Sequence, residues 1–315
     1  MSRVDDAALL RLRQSMREPD LSGTRYQLEG VAGAGGMGTV YAVLDTELGR
    51  RVALKVLDVD DPEVEARLRR EAEVLARLEH PGIVPVHDVG RLGDGRAFYT
   101  MKLVQGERLD RYAARDPSSP SLLRVFLRIA EAVAFAHARG VLHRDLKPQN
   151  VMIGPFGEVL VLDWGLAKVL SDPAASAAAP VQRGRAPGDT EDGAVLGTPG
   201  FMAPEQAAGQ SGTADARADV FSLGALLQSL LPPAPPAPLQ AIARKAMSAR
   251  PEDRYATAAE MAGDVERFLE GAPVSAYPEN FVRKALRLAA RHRVAAGILA
   301  AYLVGRGLIL LFTHR

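Results

Sequence analysis

Two hydrophobic periodicities divide the chain. From Tyr26 to about Val104, apolar residues alternate or gather in short β-branched runs at Gly38–Leu44, Arg51–Leu57, Ile83–Val89 and Ala97–Val104. Gly and Asp turns such as Leu92-Gly93-Asp94-Gly95 separate them, so these runs predict strands. One helix interrupts the series. It begins at Asp61-Pro62-Glu63, where an Asp cap, Pro at the first helical position and early acids all favour a start. Val64, Leu68, Leu75 and Leu78 recur at helical spacing, and Glu71 falls on the same apolar face. From about Leu109 the pattern becomes mostly helical: Ser121–Arg139 closed by Gly140, then Asp219–Leu230, Leu239–Met247 and Ala256–Leu269. Residues 1–25 predict a short helix (apolar at Val4, Leu9, Leu10, Leu12 and Met16) ending near Ser22-Gly23. The class is therefore α+β.

The last apolar run stands apart. Val294 to Phe312 is almost uninterrupted, with Arg291-His292-Arg293 immediately before it. About 20 residues cross a bilayer, so the length suffices. Arg306 inside the run counts against this, at roughly 2.5–3.5 kcal/mol for a mid-helix charge, although near the far end it can snorkel. Lys284, Arg287, Arg291 and Arg293 precede the run, which places the preceding domain on the cytoplasmic face of a membrane. The other reading is an apolar helix packed on the globular body or on a second copy, giving a cytoplasmic protein and a homodimer.

Composition narrows the classes. With 315 residues, 47% hydrophobic and 24% charged, a sizeable core in about two lobes is expected. A net charge of +1 gives no global reason for a nucleic-acid partner. The absence of cysteine excludes disulfides, Cys-ligated zinc and thiol catalysis. Early acids and no apolar stretch at the N-terminus make a cleaved signal peptide unexpected, and the few residues after Phe312 suggest no external sensor domain. Between Val169 and Val195 the chain turns to Ala, Pro, Gly and Ser, with Arg183 and Arg185 followed by Asp189, Glu191 and Asp192, a mobile loop by composition.

Candidate chemistry concentrates in three places. His143-Arg144-Asp145-Leu146-Lys147-Pro148-Gln149-Asn150 is followed by Val159-Leu160-Val161-Leu162, which delivers Asp163-Trp164-Gly165. Asp145 can accept a hydroxyl proton, Asn150 and Asp163 are hard oxygen ligands suited to Mg²⁺, and Lys147 can face a phosphoryl group. Upstream, Gly33-Ala34-Gly35-Gly36-Met37-Gly38-Thr39-Val40 contains G-x-G-x-x-G. In a dinucleotide fold the last Gly opens a helix, whereas the β-branched and aromatic residues after Gly38 turn a hairpin. No Gly-Lys-Ser/Thr follows, which excludes a Walker-type loop. Lys55, in Val52-Ala53-Leu54-Lys55, points away from Leu54 and Val56 on a half-buried strand. Glu71 on an apolar face demands a nearby cation, for which Lys55 is the economical partner, unless it sits at a boundary and reaches solvent.

These runs resemble the protein kinases: H-R-D-L-x-x-x-N at His143–Asn150, D-F-G with Trp164 for Phe, V-A-I-K at Val52–Lys55, and A-P-E at Ala203-Pro204-Glu205. The resemblance covers about residues 26–270 and implies a bilobal fold, with a small antiparallel sheet lobe (26–104) carrying one key helix and a larger helical lobe (105–270). A 1–25 extension precedes it, a basic 271–293 segment and the 294–312 run follow, and 163–205 becomes the activation segment. It further implies ATP with Mg²⁺ (or Mn²⁺), proton acceptance at Asp145, metal at Asn150 and Asp163, and phosphate contacts from Lys147 and from Lys55 held by Glu71. Residues 32–40 (Ala32 to Val40), Ala53, Met101 as gatekeeper, Leu103 in the hinge and Met152 would surround the nucleotide. Arg254 would pair with Glu205.

Lys147-Pro148-Gln149 and Gly197-Thr198-Pro199 resemble the serine/threonine kinases, and Gly-Gly-Met-Gly-Thr-Val-Tyr, His80-Pro81-Gly82 and Asp163–Lys168 the bacterial members that often carry a membrane segment. Protein substrates with Ser or Thr acceptors follow from that likeness. Arg144 implies a cationic pocket for a phosphate on the activation segment, with Thr190 the first candidate and Ser171 and Ser176 behind it; Thr198 would contact Asp145 and Lys147. Three departures stand out: Ala32 where a larger residue is usual, Trp164, and a short Pro232–Pro238 stretch in place of a longer loop and helix. The alternative is a pseudokinase or scaffold that binds nucleotide and partners without catalysis; its usual signature is loss of the Lys, Asp or Asn, and all are present. A small-molecule phosphotransferase would lack the stretch Gly197–Glu205.

Overall fold

The computed structural model describes residues 18–35, 38–57, 62–115, 120–164, 168–169, 200–208 and 215–278. Gly36, Met37, Gly165, Ser171, Ser176, Thr190, Thr198 and the run Val294–Phe312 lie outside the described residues, as do residues 1–17.

Alternation builds the first lobe. Strands β1 (Tyr26–Gly35), β2 (Gly38–Asp45), β3 (Arg50–Val56), β4 (Val86–Arg91) and β5 (Ala97–Lys102) form one antiparallel sheet in the order β1-β2-β3-β5-β4. Val52, Leu54 and Val56 of β3 join Tyr26, Tyr41, Val43 and Phe98 in one apolar cluster. Each such side chain contributes roughly 1.5–3 kcal/mol on burial. The intervening residues of β3 and β5 face the other way, so Ala53 lies opposite Met101 and Lys55 opposite Tyr99. The sheet curls until its edges meet: the Tyr26 hydroxyl on β1 donates to Asp88 on β4 at 2.9 Å.

Helix α1 (Pro62–Ala76) covers the second face of the sheet. Leu68, Ala72 and Leu75 are buried at helical spacing, and Glu71 is buried in the same stripe. The fourth strand starts at Val86, later than the expected Ile83, because Ile83 instead bridges in parallel to Val161 of the large lobe.

Two small sheets lie in the large lobe. Strands β6 (Glu107–Arg108), β8 (Val151–Ile153) and β9 (Val159–Val161) pair in the order β6-β8-β9, and β7 (Val141–Leu142) pairs with β10 (Lys168–Val169). Periodicity did not predict these short strands.

The helical lobe follows, with α2 (Leu109–Arg115), α3 (Pro120–Ala138), α4 (Pro204–Ala207), α5 (Ala216–Leu230), α6 (Ala237–Ala246) and α7 (Ala258–Leu269). Leu122, Phe126, Ile129, Val133 and Ala136 form the buried stripe of α3, which packs on α5 and α7. Gly140, at φ +73°, closes its C-terminus in the left-handed region that favours glycine. Helix α5 starts three residues before the expected Asp219, because Asp215 caps it by accepting from the Arg217 amide at 2.8 Å. The Pro-rich stretch joins α5 directly to α6 and lines a cavity of about 420 Å³ with Arg244 and Met247.

Two expectations need amendment. The helix expected over residues 1–25 does not reach Ser22-Gly23, since Asp20 accepts from the Ser22 amide at 3.0 Å and from its hydroxyl at 2.5 Å in an Asx turn; the apolar positions that predict it, Val4 to Met16, lie outside the described residues. Packing also continues past residue 270. Asp264, fully buried on α7, accepts from the Ser275 and Ala276 amides at 2.9 and 3.0 Å, and Val274 is buried beside it.

Candidate active site

The glycine loop is the β1–β2 hairpin. Gly35 pairs with Gly38 and Gly33 with Val40, the strand-turn-strand form expected from the residues after Gly38. Gly38 has no substitute: its φ is +144°, and a Cβ there would stand 2.1 Å from the Val56 carbonyl oxygen. Ala32 and Gly33 lie exposed on the hairpin, and the backbone places Ala34 beside Gly35 on β1. Thr39 and Ala53 are buried, while Val40, Met101, Leu103 and Met152 are half-buried. Val40 pairs directly with Lys55 across β2 and β3.

Behind the hairpin lies a charged centre. Lys55 Nζ donates to both Glu71 oxygens, at 2.9 and 3.1 Å, and stands 3.6 Å from Asp163. Burial alone would lower the Lys55 pKa; the Glu71 charge, then Tyr99 and Asp163, carry it well above the ordinary lysine value. The surrounding protein raises the Asp163 carboxyl, but Lys55 outweighs this and holds it below the usual carboxylate range. Asp163 is exposed and adopts φ +58°, a sparsely populated conformation for a residue with a side chain. Tyr99, which sequence reasoning passed over, donates its hydroxyl to Glu71 Oε1 at 2.8 Å.

The His143–Asn150 loop closes on itself. Lys147 Nζ stands 2.7 Å from Asp145 Oδ2, and Asn150 Nδ2 donates to the Asp145 carbonyl at 2.8 Å and to Oδ2 at 3.2 Å. Among the described residues, neither Lys147 nor Asn150 takes Asp145 Oδ1. His143 Nδ1 accepts from the Asp145 amide at 3.3 Å, so its Nε2 carries the proton it donates to the Leu162 carbonyl at 3.0 Å. The ring lies 4.6 Å from that of buried Trp164, so the aromatic of D-W-G rests on the loop it follows.

Asp219 anchors this loop from the core. It accepts from the His143 amide at 2.8 Å, the Arg144 amide at 2.8 Å and His137 Nε2 at 2.8 Å. Burial raises its carboxyl; the hydrogen bond from His137 leads the contributions that lower it below the ordinary range. Arg144 takes φ +68°, a sparsely populated conformation for a residue with a side chain. No periodicity could assign Asp219 this role; only the packing of α5 under the loop reveals it.

Glu205 and Arg254 come together as expected. The guanidinium gives two parallel bonds to Glu205, at 2.7 and 2.8 Å. Its three other N–H groups go to the carbonyls of Arg217, Ser248 and Ala249 at 3.0, 2.8 and 3.1 Å. All five donors of a fully buried cation are thereby used. Ser222 adds a bond to the Phe201 carbonyl at 2.7 Å, fastening the segment before α4 to α5.

An amide oxygen and an exposed carboxylate suit a hard divalent cation. Among the described residues no group of three or more His, Cys, Asp or Glu gathers to hold a metal. One amide oxygen and one carboxylate are a small, hard donor set of the kind that fits Mg²⁺, which keeps water and takes phosphate oxygens in place of protein ligands.

The protein kinase domain family matches residues 26–301. A probable serine/threonine-protein kinase of Streptomyces coelicolor is 36% identical over 83% of this chain and 42% of its own length. Serine/threonine-protein kinase PknB of Mycobacterium tuberculosis is 35% identical, over 83% of this chain and 45% of that protein. This chain thus spans less than half the length of these relatives. The crystal structure of the Mycobacterium tuberculosis PknI kinase domain superposes with a TM-score of 0.57 at 28% identity, covering 79% of this chain and 98% of that one.

Proposed function

This chain belongs to the protein kinase domain family, and from that premise we propose that it transfers the γ-phosphoryl group of ATP to serine and threonine hydroxyls of proteins. One observation carries the reading: Asp145, Lys147 and Asn150 are tied within 3.2 Å on one loop, beside an Asp163 that Lys55 reaches from the other lobe at 3.6 Å. In the reaction the acceptor oxygen bonds to the γ-phosphorus as the bond to the β–γ bridging oxygen breaks and ADP leaves. The hydroxyl proton passes to Asp145 Oδ1, the oxygen that neither Lys147 nor Asn150 occupies. Lys147 lies where it can face the transferring oxygens, and Lys55, steadied by Glu71, where it can meet the remaining phosphates. Mg²⁺, when bound, neutralises phosphate charge, and Asn150 Oδ1 and Asp163 are the residues to hold it. Gly33 to Gly38 cover the nucleotide, with Ala53, Met101, Leu103 and Met152 around the base.

The substrates, the regulation and the membrane belong to the same proposal. Protein acceptors rest on the kinship with serine/threonine kinases and on the Glu205–Arg254 platform. Autophosphorylation at Thr190, with Ser171 and Ser176 as further candidates, rests on Arg144 beside Asp145. Anchoring through Val294–Phe312 rests on sequence; among the described residues no helix is long and apolar enough to cross a membrane. Transfer of radiolabelled phosphate to a basic protein should occur with the native chain and vanish with Asp145→Asn. Equal incorporation by both would sink the kinase reading.

A further inference from the structure

Glu71 is a buried carboxylate on an apolar helical face, and its main partner is a lysine with other obligations. Lys55 already serves both Glu71 oxygens and Asp163. Under the proposed function, on which this inference rests, the same ammonium must also meet nucleotide phosphates. Three donors cannot satisfy all of these at once. Each time Lys55 turns toward phosphate, Glu71 loses part of its compensation inside the protein, where an unpaired carboxylate is costly.

Tyr99 stands where that deficit would arise. Its Cα pairs with that of Lys55 across β3 and β5, so the two side chains share a face and approach Glu71 together. The phenol donates to Glu71 Oε1 at 2.8 Å, the oxygen that also takes the shorter lysine bond. Its ring lies 5.5 Å from Lys55 Nζ, within cation–π reach. Tyr99 is buried, and burial leads the effects that push its ionisation far above the ordinary tyrosine range, so the hydroxyl is a donor at every physiological pH. As a neutral donor it holds the carboxylate without competing for phosphate.

We propose that Tyr99 is a positioning residue for phosphoryl transfer: its hydroxyl holds Glu71, and with it helix α1, in place while Lys55 engages the nucleotide. Glu71 sits midway along α1, so fixing its carboxylate fixes the helix against the sheet. The hydroxyl acts through Glu71, while the ring stays against Lys55 Nζ.

Tyr99→Phe removes the hydroxyl and keeps the ring in its cluster. The variant, Glu71→Gln and their combination are compared by kcat, by KM for ATP and by hydrogen exchange of the α1 amides, 62–76. In the native background Tyr99→Phe should raise KM for ATP about 10-fold, the size of one hydrogen bond to a charged group, and speed α1 exchange. In the Glu71→Gln background it should change neither by more than about twofold, because the charge it serves is gone. An unchanged KM and exchange in the native background overturn the proposal, and so does an equal loss in both backgrounds, which would make Tyr99 ordinary packing. Should the native chain transfer no phosphate, the kinase reading fails by itself, and α1 exchange in the four proteins still decides the role of Tyr99.

Discussion

Replacing Glu205 with alanine tests how much one buried ion pair holds the helical lobe together. The Arg254 side chain is 0% exposed and that of Glu205 16%, so solvent screens the pair little. Glu205→Ala deprives two guanidinium N–H groups of their acceptors and leaves the cation only the carbonyls of Arg217, Ser248 and Ala249. Stranding one buried charge costs about 3–5 kcal/mol, against about 0–1 kcal/mol for an exposed bridge. Whole-domain stability is about 5–15 kcal/mol, so the loss should be large and measurable. Urea unfolding at pH 7 can be followed by the fluorescence of Trp164, the single tryptophan. The pH dependence supplies a second check. Burial raises the Glu205 carboxyl, but the hydrogen bond from Arg254 brings it below its ordinary 4.5. A depressed folded pKa means the pair's contribution is fully present above 4.5 and drains as pH falls through the folded value. The gap between native chain and variant should therefore narrow in acid. A loss under about 1 kcal/mol at pH 7 would place the pair among screened surface bridges and refute the argument.

Further expectations follow from single contacts. Gly38→Ala sets a Cβ against the Val56 carbonyl at φ +144° and should cost about 1–3 kcal/mol in urea unfolding, with a raised KM for ATP. Asp219→Asn offers a donor where two loop amides need acceptors; kcat should fall about 100-fold while KM for ATP stays within a few-fold. A chain ended at Pro278 keeps the Asp264 contacts to Ser275 and Ala276, whereas one ended at Gly271 loses them and should unfold at lower urea. The same Pro278 truncation tests the apolar run: membranes should retain the full chain until detergent is added and release the short one in plain buffer.

What the sequence could disclose depended on how local the physics is. Glu71 was legible because a carboxylate on an apolar helical stripe requires a cation, and Lys55 was the residue at hand. The hairpin was legible because Thr39-Val40-Tyr41 cannot open a helix as comfortably as it extends a strand. Tyr99 looked like one more core aromatic on an alternating strand, and only its register opposite Lys55 brings the phenol to Glu71. Asp219 lies 76 residues from the amide of His143, a distance that periodicity does not bridge. Strands of two or three residues, such as β6, β8 and β9, offer too few alternations to register and form only because the loops around them are already placed. At Asp20–Ser22 a single side chain sets the backbone: the Asp20 carboxylate offers it a turn where the end of a helix was expected.

The carboxylate beneath the His143–Asn150 loop has a thermal consequence. Because the amides of His143 and Arg144 hang on Asp219, itself buried on α5, this loop should show no melting transition of its own. Gentle heating that frays loosely packed segments should leave Asp145 aimed as before, its aim being lost only when the helical lobe gives way. Heat inactivation and unfolding of that lobe should then coincide. Any ordering step that limits turnover must reside in parts of the chain that this one carboxylate does not hold.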